Sequence, residues 1–365
     1  MNRRFFIQKL LYSLQTVLLM RLAHPAVLPA AIKKMESDKL HYRPLNGRSL
    51  RDIALRKEHH GNDRFISPVG IPRVGRWWQL LKWKLSRNSF NRYLKDQPVN
   101  RIAIDWEPVR KHQGVSVTFV KHASILIKDV ESYLLIDPVF SDIYWFIEDF
   151  SPFTFDPRKI IKPDHVLVTH GHYDHLDKSS LRLLDKETHV ISPLGYDAVF
   201  QDLNMKNRTR LDWYETYRNG DSSITFLPSN HWTMRNPLRG PNRSLWGGYM
   251  IKTAADYTIY LMGDSGYFDG FEEIGRDFDI DLAVINLGAY EPRWFMASSH
   301  MNPREAVRVF KELKAAKLMI VHWGTFRLGD EPVHFPPVDL KRELEKEGLL
   351  DRLVDIRHGE TFFIR

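Results

Sequence analysis

No cysteine occurs among the 365 residues, which excludes disulfide scaffolds, thiolate zinc sites, iron–sulfur clusters and cysteine nucleophiles together. Any bound metal must therefore be held by histidine and carboxylate. Internal repeats and low-complexity tracts are also missing, and the composition rules out a mainly disordered chain. The longest apolar stretch near the start, LLYSLQTVLLM, matches a signal h-region in length but is too short to span a bilayer. Acidic groups are absent from residues 1–32, where Arg3, Arg4, Lys9 and Arg21 supply four of the eight excess positive charges. The basic balance of the whole chain is thus partly a local property of its start. It fits a membrane surface at least as well as nucleic acid.

What is present is ordinary globular material: 43% hydrophobic and 27% charged residues, long enough for one large domain or two medium ones. Aromatic residues are plentiful at 12%, and there are 16 histidines. The start, Arg3-Arg4 followed by Phe5-Phe6-Ile7 and Lys9, resembles a twin-arginine export signal. A membrane-associated protein of the bacterial periplasm or inner-membrane face is expected. The alternative is an amphipathic N-terminal helix on a cytoplasmic protein. Residues 33–114 read as an irregular extension packed on the main domain, with Pro44, Pro68 and Pro72 breaking any long helix. Within it, RWWQLLKWKLSRN sets Val74, Trp78, Leu81 and Leu85 on one helical face, with Lys82, Lys84 and Arg87 off that face. That pattern suits an interfacial helix on anionic lipid, or a helix packed on the main domain.

From residue 115 to 365 the pattern is that of a single α/β domain. VSVTFV, SILI, YLLID, HVLVTH, SITFLP, TIYLMGD, LAVINLG and LMIVHWG are apolar runs of strand length separated by turns. Helical patterns interleave late: Asn302 reads as an N-cap, Pro303 as N1 and Glu305 as an acid at N3, with Ala306, Phe310 and Leu313 on one face. Such alternation implies sheets covered by helices.

The chemistry concentrates in His165-Val-Leu-Val-Thr-His170-Gly-His172-Tyr173-Asp174-His175-Leu-Asp177, where a buried strand ends in H-x-H-x-D-H and Asp177 caps the next helix. Four ligand-type side chains at one strand-to-helix turn are costly to bury unpaired, so they converge on a cation or stay in solvent. This motif resembles the signature of the metallo-β-lactamase superfamily, an αβ/βα sandwich, and the resemblance implies further ligands at later strand ends. Candidates stand where strands run into His231, Gly263-Asp264 and His322. By the same resemblance, His170, His172 and His231 hold one Zn²⁺. Asp174, His175 and His322 hold a second, Asp264 bridges the two, and a hydroxide between the metals is the nucleophile. Two Zn²⁺ per chain are therefore expected.

Within that superfamily, GAYEPRWFMASSHMNPREAV, VHWGTF, SNHW and LWGGY resemble the N-acyl-phosphatidylethanolamine-hydrolysing phospholipase D family. The likeness runs from VTFVKHASILI at 117–127, through IDPVFSD with Asp137 and Pro138, to Pro336 and Pro337. It implies a di-zinc phosphodiesterase releasing an N-acylethanolamine and phosphatidic acid, with a metal-dependent lactonase or ester hydrolase as the rival enzyme and a non-catalytic metal-binding membrane module as the other rival. It also implies that Tyr173 faces the substrate and that His300 contacts it beside the reaction centre, which with Asp264 makes the catalytic pair. Arg293 is expected to order its loop, with Glu291 as the ready local partner, the alternative being a contact to phosphate. The family's Gly-His-Ala turn reads Lys121-His122-Ala123 here, and His122 is taken as a group behind the ligands rather than a ligand. The loop IYWFIEDFSPFTF, with Tyr144, Trp145, Phe146, Phe150, Phe153 and Phe155, either closes over the site or dips into lipid. A phospholipid substrate, a membrane surface, no nucleic acid and a homodimer complete the expected partners.

Overall fold

The computed structural model describes residues 45, 47–69, 77–95 and 97–364. The signal-like segment 1–32 and Val74 of the helix in the extension lie outside the described residues.

In chain order the strands are β1 (Ser116–Lys121), β2 (Ser124–Asp129), β3 (Ser132–Ile136), β4 (His165–Leu167), β5 (His189–Pro193), β6 (Arg208–Leu211) and β7 (Thr216–Asn219). They continue with β8 (Ser222–Leu227), β9 (Gly248–Lys252), β10 (Thr258–Leu261), β11 (Leu282–Asn286), β12 (Lys317–Val321) and β13 (Thr361–Phe363). The helices are α1 (Leu50–Leu55), α2 (Trp77–Leu85), α3 (Trp106–Lys111), α4 (Lys178–Leu181) and α5 (Asp197–Asp202), then α6 (Phe271–Asp277), α7 (Arg293–Met296), α8 (Pro303–Leu313) and α9 (Phe335–Lys346).

Two mixed sheets result, in the orders β13-β1-β2-β3-β4-β5-β6 and β12-β11-β10-β9-β8-β7. Strand alternation shows how the layers stack. Ile125, Ile127, Leu134, Ile136, Leu167 and Ile191 of the first sheet join the core shared with Phe226, Tyr249, Ile251 and Leu261 of the second. Their neighbours Leu126, Leu135, Val166 and Val190 point the other way, into a smaller core closed by Val109, Leu181 and Phe200 of the covering helices. The αβ/βα sandwich implied by the resemblance is what forms.

The expected strands all appear, although HVLVTH is regular only as far as Leu167. Asn302 accepts from the Glu305 amide and Glu305 reaches back to the Asn302 amide, a complete capping box that starts α8. The extension is tied to the body by carboxylates. Glu273 accepts the amides of Leu50 and Arg51 at the start of α1, and buried Asp212 accepts from Lys57, His59 and His60 at 2.5–2.8 Å. Helix α2 docks on the main domain as one of the two sequence readings has it, but on a different face. Trp83 is the buried residue, against Phe295, while Trp78, Leu81 and Leu85 are exposed. No helix among the described residues is long and apolar enough to cross a membrane.

Asn302→Ala removes one half of the capping box and should lower stability by about 0.5–2 kcal/mol in urea unfolding. An unchanged midpoint would show that the box does not hold the start of α8.

Candidate metal centre

The site is built from strand ends, and the two sheets contribute about equally. β1 turns into His122, β3 runs directly into Asp137, and β4 leads to His170 and the turn through His175. From the other sheet, β8 leads to His231, β10 to Asp264, and β12 directly into His322, while Asn286 is the last residue of β11. Gly263 makes the approach to Asp264 possible: its φ is +65°, and a Cβ there would stand 2.6 Å from the Gly247 carbonyl oxygen. Asp137 and His322 adopt positive φ values of 42° and 69°, strained for side-chain-bearing residues and typical of functional positions.

These ends bring the donors into two groups. His170, His172, His231 and Asp264 form the first; His122, Asp174, His175 and His322 form the second. In the first, His170 Nε2 and His231 Nε2 lie 2.9 and 3.2 Å from His172 Nδ1, and 3.8 and 3.7 Å from Asp264 Oδ2. In the second, His175 Nε2 and His322 Nε2 lie 3.6 and 3.3 Å from Asp174 Oδ2. The same two nitrogens stand 3.2 and 3.4 Å from the oxygens of Asp264. Asp264 thus lies between the groups. All seven residues named as metal ligands from the sequence are brought together here.

The donor set fits metal on its own geometry. A cation with bonds of about 2.0–2.1 Å keeps tetrahedral ligand atoms roughly 3.4 Å apart, the spacing found within both groups. Electrostatics agree. Burial, reinforced by neighbouring imidazoles, pushes His170 and His231 well below the usual histidine range, so both present neutral lone pairs. Burial works against ionised Asp264 and Asp174, but His175 and the other histidines outweigh it and hold both carboxyls well below their ordinary values. Burial likewise opposes a charge on His175, and Asp264, Asp174 and Asp137 overcome it. Without a metal, His175 is the main counter-charge to these carboxylates, and a divalent ion held by the neutral imidazoles would take over that role.

Two residues without a role in the sequence reading orient the ligands. Asp137 accepts from His175 Nδ1 at 2.8 Å and from the amide and hydroxyl of Thr169 at 2.8 and 2.6 Å. Asn286 donates to Asp264 Oδ1 at 2.9 Å. His231 Nδ1 faces the Ser299 carbonyl oxygen at 3.1 Å, which fixes Nε2 as its ligating nitrogen. The strand-end positions of Asp137 and Asn286 were the available signal. His122 Nε2 stands with the second group, 3.1 Å from Asp174 Oδ2.

His300 sits at the rim, its Nδ1 3.9 Å from Asp264 Oδ2 and its ring 5.3 Å from that of His231. Arg293 holds this segment, but not through the partner expected. Its guanidinium pairs with Glu305 at 2.6 Å and donates to the His300 carbonyl oxygen, while Glu291 accepts only the Arg293 amide. Glu305, tied up in the capping box, is the better-fixed anchor. Tyr173 is partly exposed; its hydroxyl donates to the Arg235 carbonyl oxygen and its ring lies 5.3 Å from Tyr144.

Comparison with known proteins agrees with this geometry. The Beta-lactamase superfamily domain matches residues 132–323. The chain belongs to the metallo-β-lactamase superfamily, and its paired ligand groups are those of a metal-dependent hydrolase. More particularly, it is 33% identical over 288 residues to N-acyl-phosphatidylethanolamine-hydrolyzing phospholipase D 1 of Caenorhabditis elegans, covering 73% of this chain and 80% of that protein. It is also 33% identical to the mitochondrial N-acyl-phosphatidylethanolamine-hydrolyzing phospholipase D of Saccharomyces cerevisiae, over 62% of this chain but only 51% of that protein. Among solved structures, the isothiocyanate hydrolase from Delia radicum gut bacteria superposes with a TM-score of 0.56 at 17% identity, over 68% of this chain and 99% of that one, which supports the fold.

Asp137→Asn keeps the shape of the side chain but weakens its hold on His175. Metal affinity measured against a competing chelator should fall roughly 10–100-fold with the fold intact. Unaltered affinity would mean that Asp137 only supports the turn.

Proposed function

We propose that this protein is a di-zinc phosphodiesterase hydrolysing N-acyl-phosphatidylethanolamine-type phospholipids to an N-acylethanolamine and phosphatidic acid. The observation that carries the reading is the pair of donor groups meeting at Asp264, in a chain similar to relatives bearing that activity in their names. His170, His172, His231 and Asp264 would hold one zinc, and Asp174, His175, His322 and Asp264 the other. Two zinc ions so held supply Lewis acidity and bring the pKa of water toward neutrality, the chemistry suited to in-line displacement at phosphorus.

The protein's own groups do the positioning. Asn286 keeps Asp264 turned toward both groups. His300, held from behind by Arg293, stands at the open rim where a leaving alkoxide would pass, and there it holds or delivers a proton. Arg235 lays its guanidinium 4.3 Å over the Tyr173 ring, donates to the Gly171 carbonyl oxygen, and pairs with no carboxylate among the described residues. A cation in no ion-pair contact with a carboxylate among the described residues, beside the turn 170–175, favours an anionic substrate.

The surface around the site suits a lipid interface. Trp145 and Phe146 are 69% and 64% exposed on the loop that continues from Tyr144, the neighbour of Tyr173. On the His300 side, α2 shows Trp78, Leu81 and Leu85 to solvent alongside Lys82 and Lys84, and Lys82 lies over Trp294 of α7. Exposed aromatic groups beside lysines match an anionic bilayer surface.

His231→Ala and Asp264→Asn should each lower phosphatidic acid release at least 1,000-fold, on the order expected when a group holding catalytic metal is lost. Activity close to that of the unaltered protein would remove the two-metal reading, and cleavage of a lactone but no phosphodiester would keep the site and overturn the substrate. Trp145→Ser with Phe146→Ser should reduce turnover of substrate in anionic vesicles while sparing a soluble aryl phosphodiester. An equal loss on both would place these residues in the site rather than at the membrane.

A further inference from the structure

The β1–β2 hairpin closes in two residues, His122 and Ala123, between paired Lys121 and Ser124. His122 takes a φ of +52° there. Two-residue hairpin turns of this kind favour Asn, Asp or Gly, because a Cβ in the left-handed region clashes with the backbone. A histidine at this corner is a locally poor choice, and strain of this sort points toward function. The surroundings fix it firmly. Its amide donates to Thr325 Oγ1 at 3.1 Å, its carbonyl accepts the His322 amide at 2.8 Å, and its ring is fully buried.

What the ring faces is the second donor group. Nδ1 has no hydrogen-bond partner among the described residues, a feature shared with His322, and the His122 ring is held by packing against Phe326 and His322 at 5.0 and 4.2 Å. The hydrogen-bond partner of His122 Nε2 is Asp174 Oδ2 at 3.1 Å, and that same oxygen lies 3.3 Å from His322 Nε2 and 3.6 Å from His175 Nε2. Three imidazole nitrogens around one carboxylate oxygen exceed what ordinary N–H···O bonds would arrange, since those cluster near about 2.9 Å and need acceptor directions of their own. The spacings are instead those of ligand atoms sharing a central ion.

We infer that His122 is a direct ligand of the second metal, so that the two positions are unlike: three histidines and Asp264 at the first, and His122, His175, His322, Asp174 and Asp264 at the second. This rests on the binuclear reading and extends it. The fuller position holds its ion more tightly, and the first, with fewer protein donors, is left with room for water and substrate.

The test uses the full chain loaded with zinc or cobalt. His122→Gln keeps an amide N–H donor at nearly the reach of Nε2, and His122→Asn replaces the strained residue with one that tolerates the turn, so folding is preserved in at least one variant. The inference expects both variants to bind one metal as the unaltered protein does and to lose more than about 100-fold affinity for the other, beyond the range usual for a residue that only orients a ligand. X-ray absorption of the unaltered protein should give three imidazoles per metal on average, falling in variants loaded with enough metal to fill both positions. Retention of two metals within tenfold by His122→Gln would overturn it, leaving His122 as a positioning residue for Asp174. If the unaltered protein itself binds a single metal, the binuclear reading fails first and the inference falls with it.

Discussion

The centre of this molecule depends on burying carboxylates among imidazoles, an arrangement that needs positive charge to hold it. Asp264 and Asp174 are held well below the usual carboxylate range and largely out of water, with histidines from seven separate positions around them. Carboxylates and imidazoles at 3–4 Å gain little from each other if the imidazoles stay neutral, and charging all of them would set like charges against one another. A divalent ion in each group resolves the conflict, because it uses the neutral lone pairs and balances the anions at once. The strained backbones at His122, Asp137 and His322 are the cost of aiming side chains from three different strand ends at the same place.

The sandwich serves that aim economically. Each layer needs one apolar face toward the shared core, and period-two alternation leaves the strand ends free to carry polar groups. Second-line contacts then come from the same strand ends: Asp137 one residue past β3, Asn286 closing β11. The rim is made differently, by loops and short helices that differ in character. One side offers Tyr173 and the exposed aromatic loop, and the other offers His300 with the Arg293–Glu305 pair behind it.

Much of this could be read from the chain because the relevant signals are local. H-x-H-x-D-H packs four ligands into six residues, and His231, Asp264 and His322 each follow an apolar run long enough to be recognised as a strand. The capping box at Asn302 is likewise spelled out within four residues. What escaped has no such local mark. His122 is a single histidine in a turn, and its place depends on β12 lying beside it, 200 residues away. Arg293 has an acid two positions off, so Glu291 looked sufficient; only the fold brings Glu305 nearer to its guanidinium. β6 and β7 are short, polar edge strands, and β13 pairs with β1 across nearly the whole domain, so hydrophobic pattern could not announce them. On α2, helical periodicity marked out an apolar face but not which side would be covered, and the body took Trp83 instead.

The sharing of Asp264 has a mechanical side as well. The ligands from 122 to 175 come from one sheet and those from 231 to 322 from the other, so each ion would fasten the two layers together at one edge, as a clasp fastens the covers of a book. Closing such long intervals of chain removes much of the freedom of the open state, so loading should make the sandwich harder to pull apart than its apolar core alone would. The catalytic centre would then also be the hinge-lock of the fold.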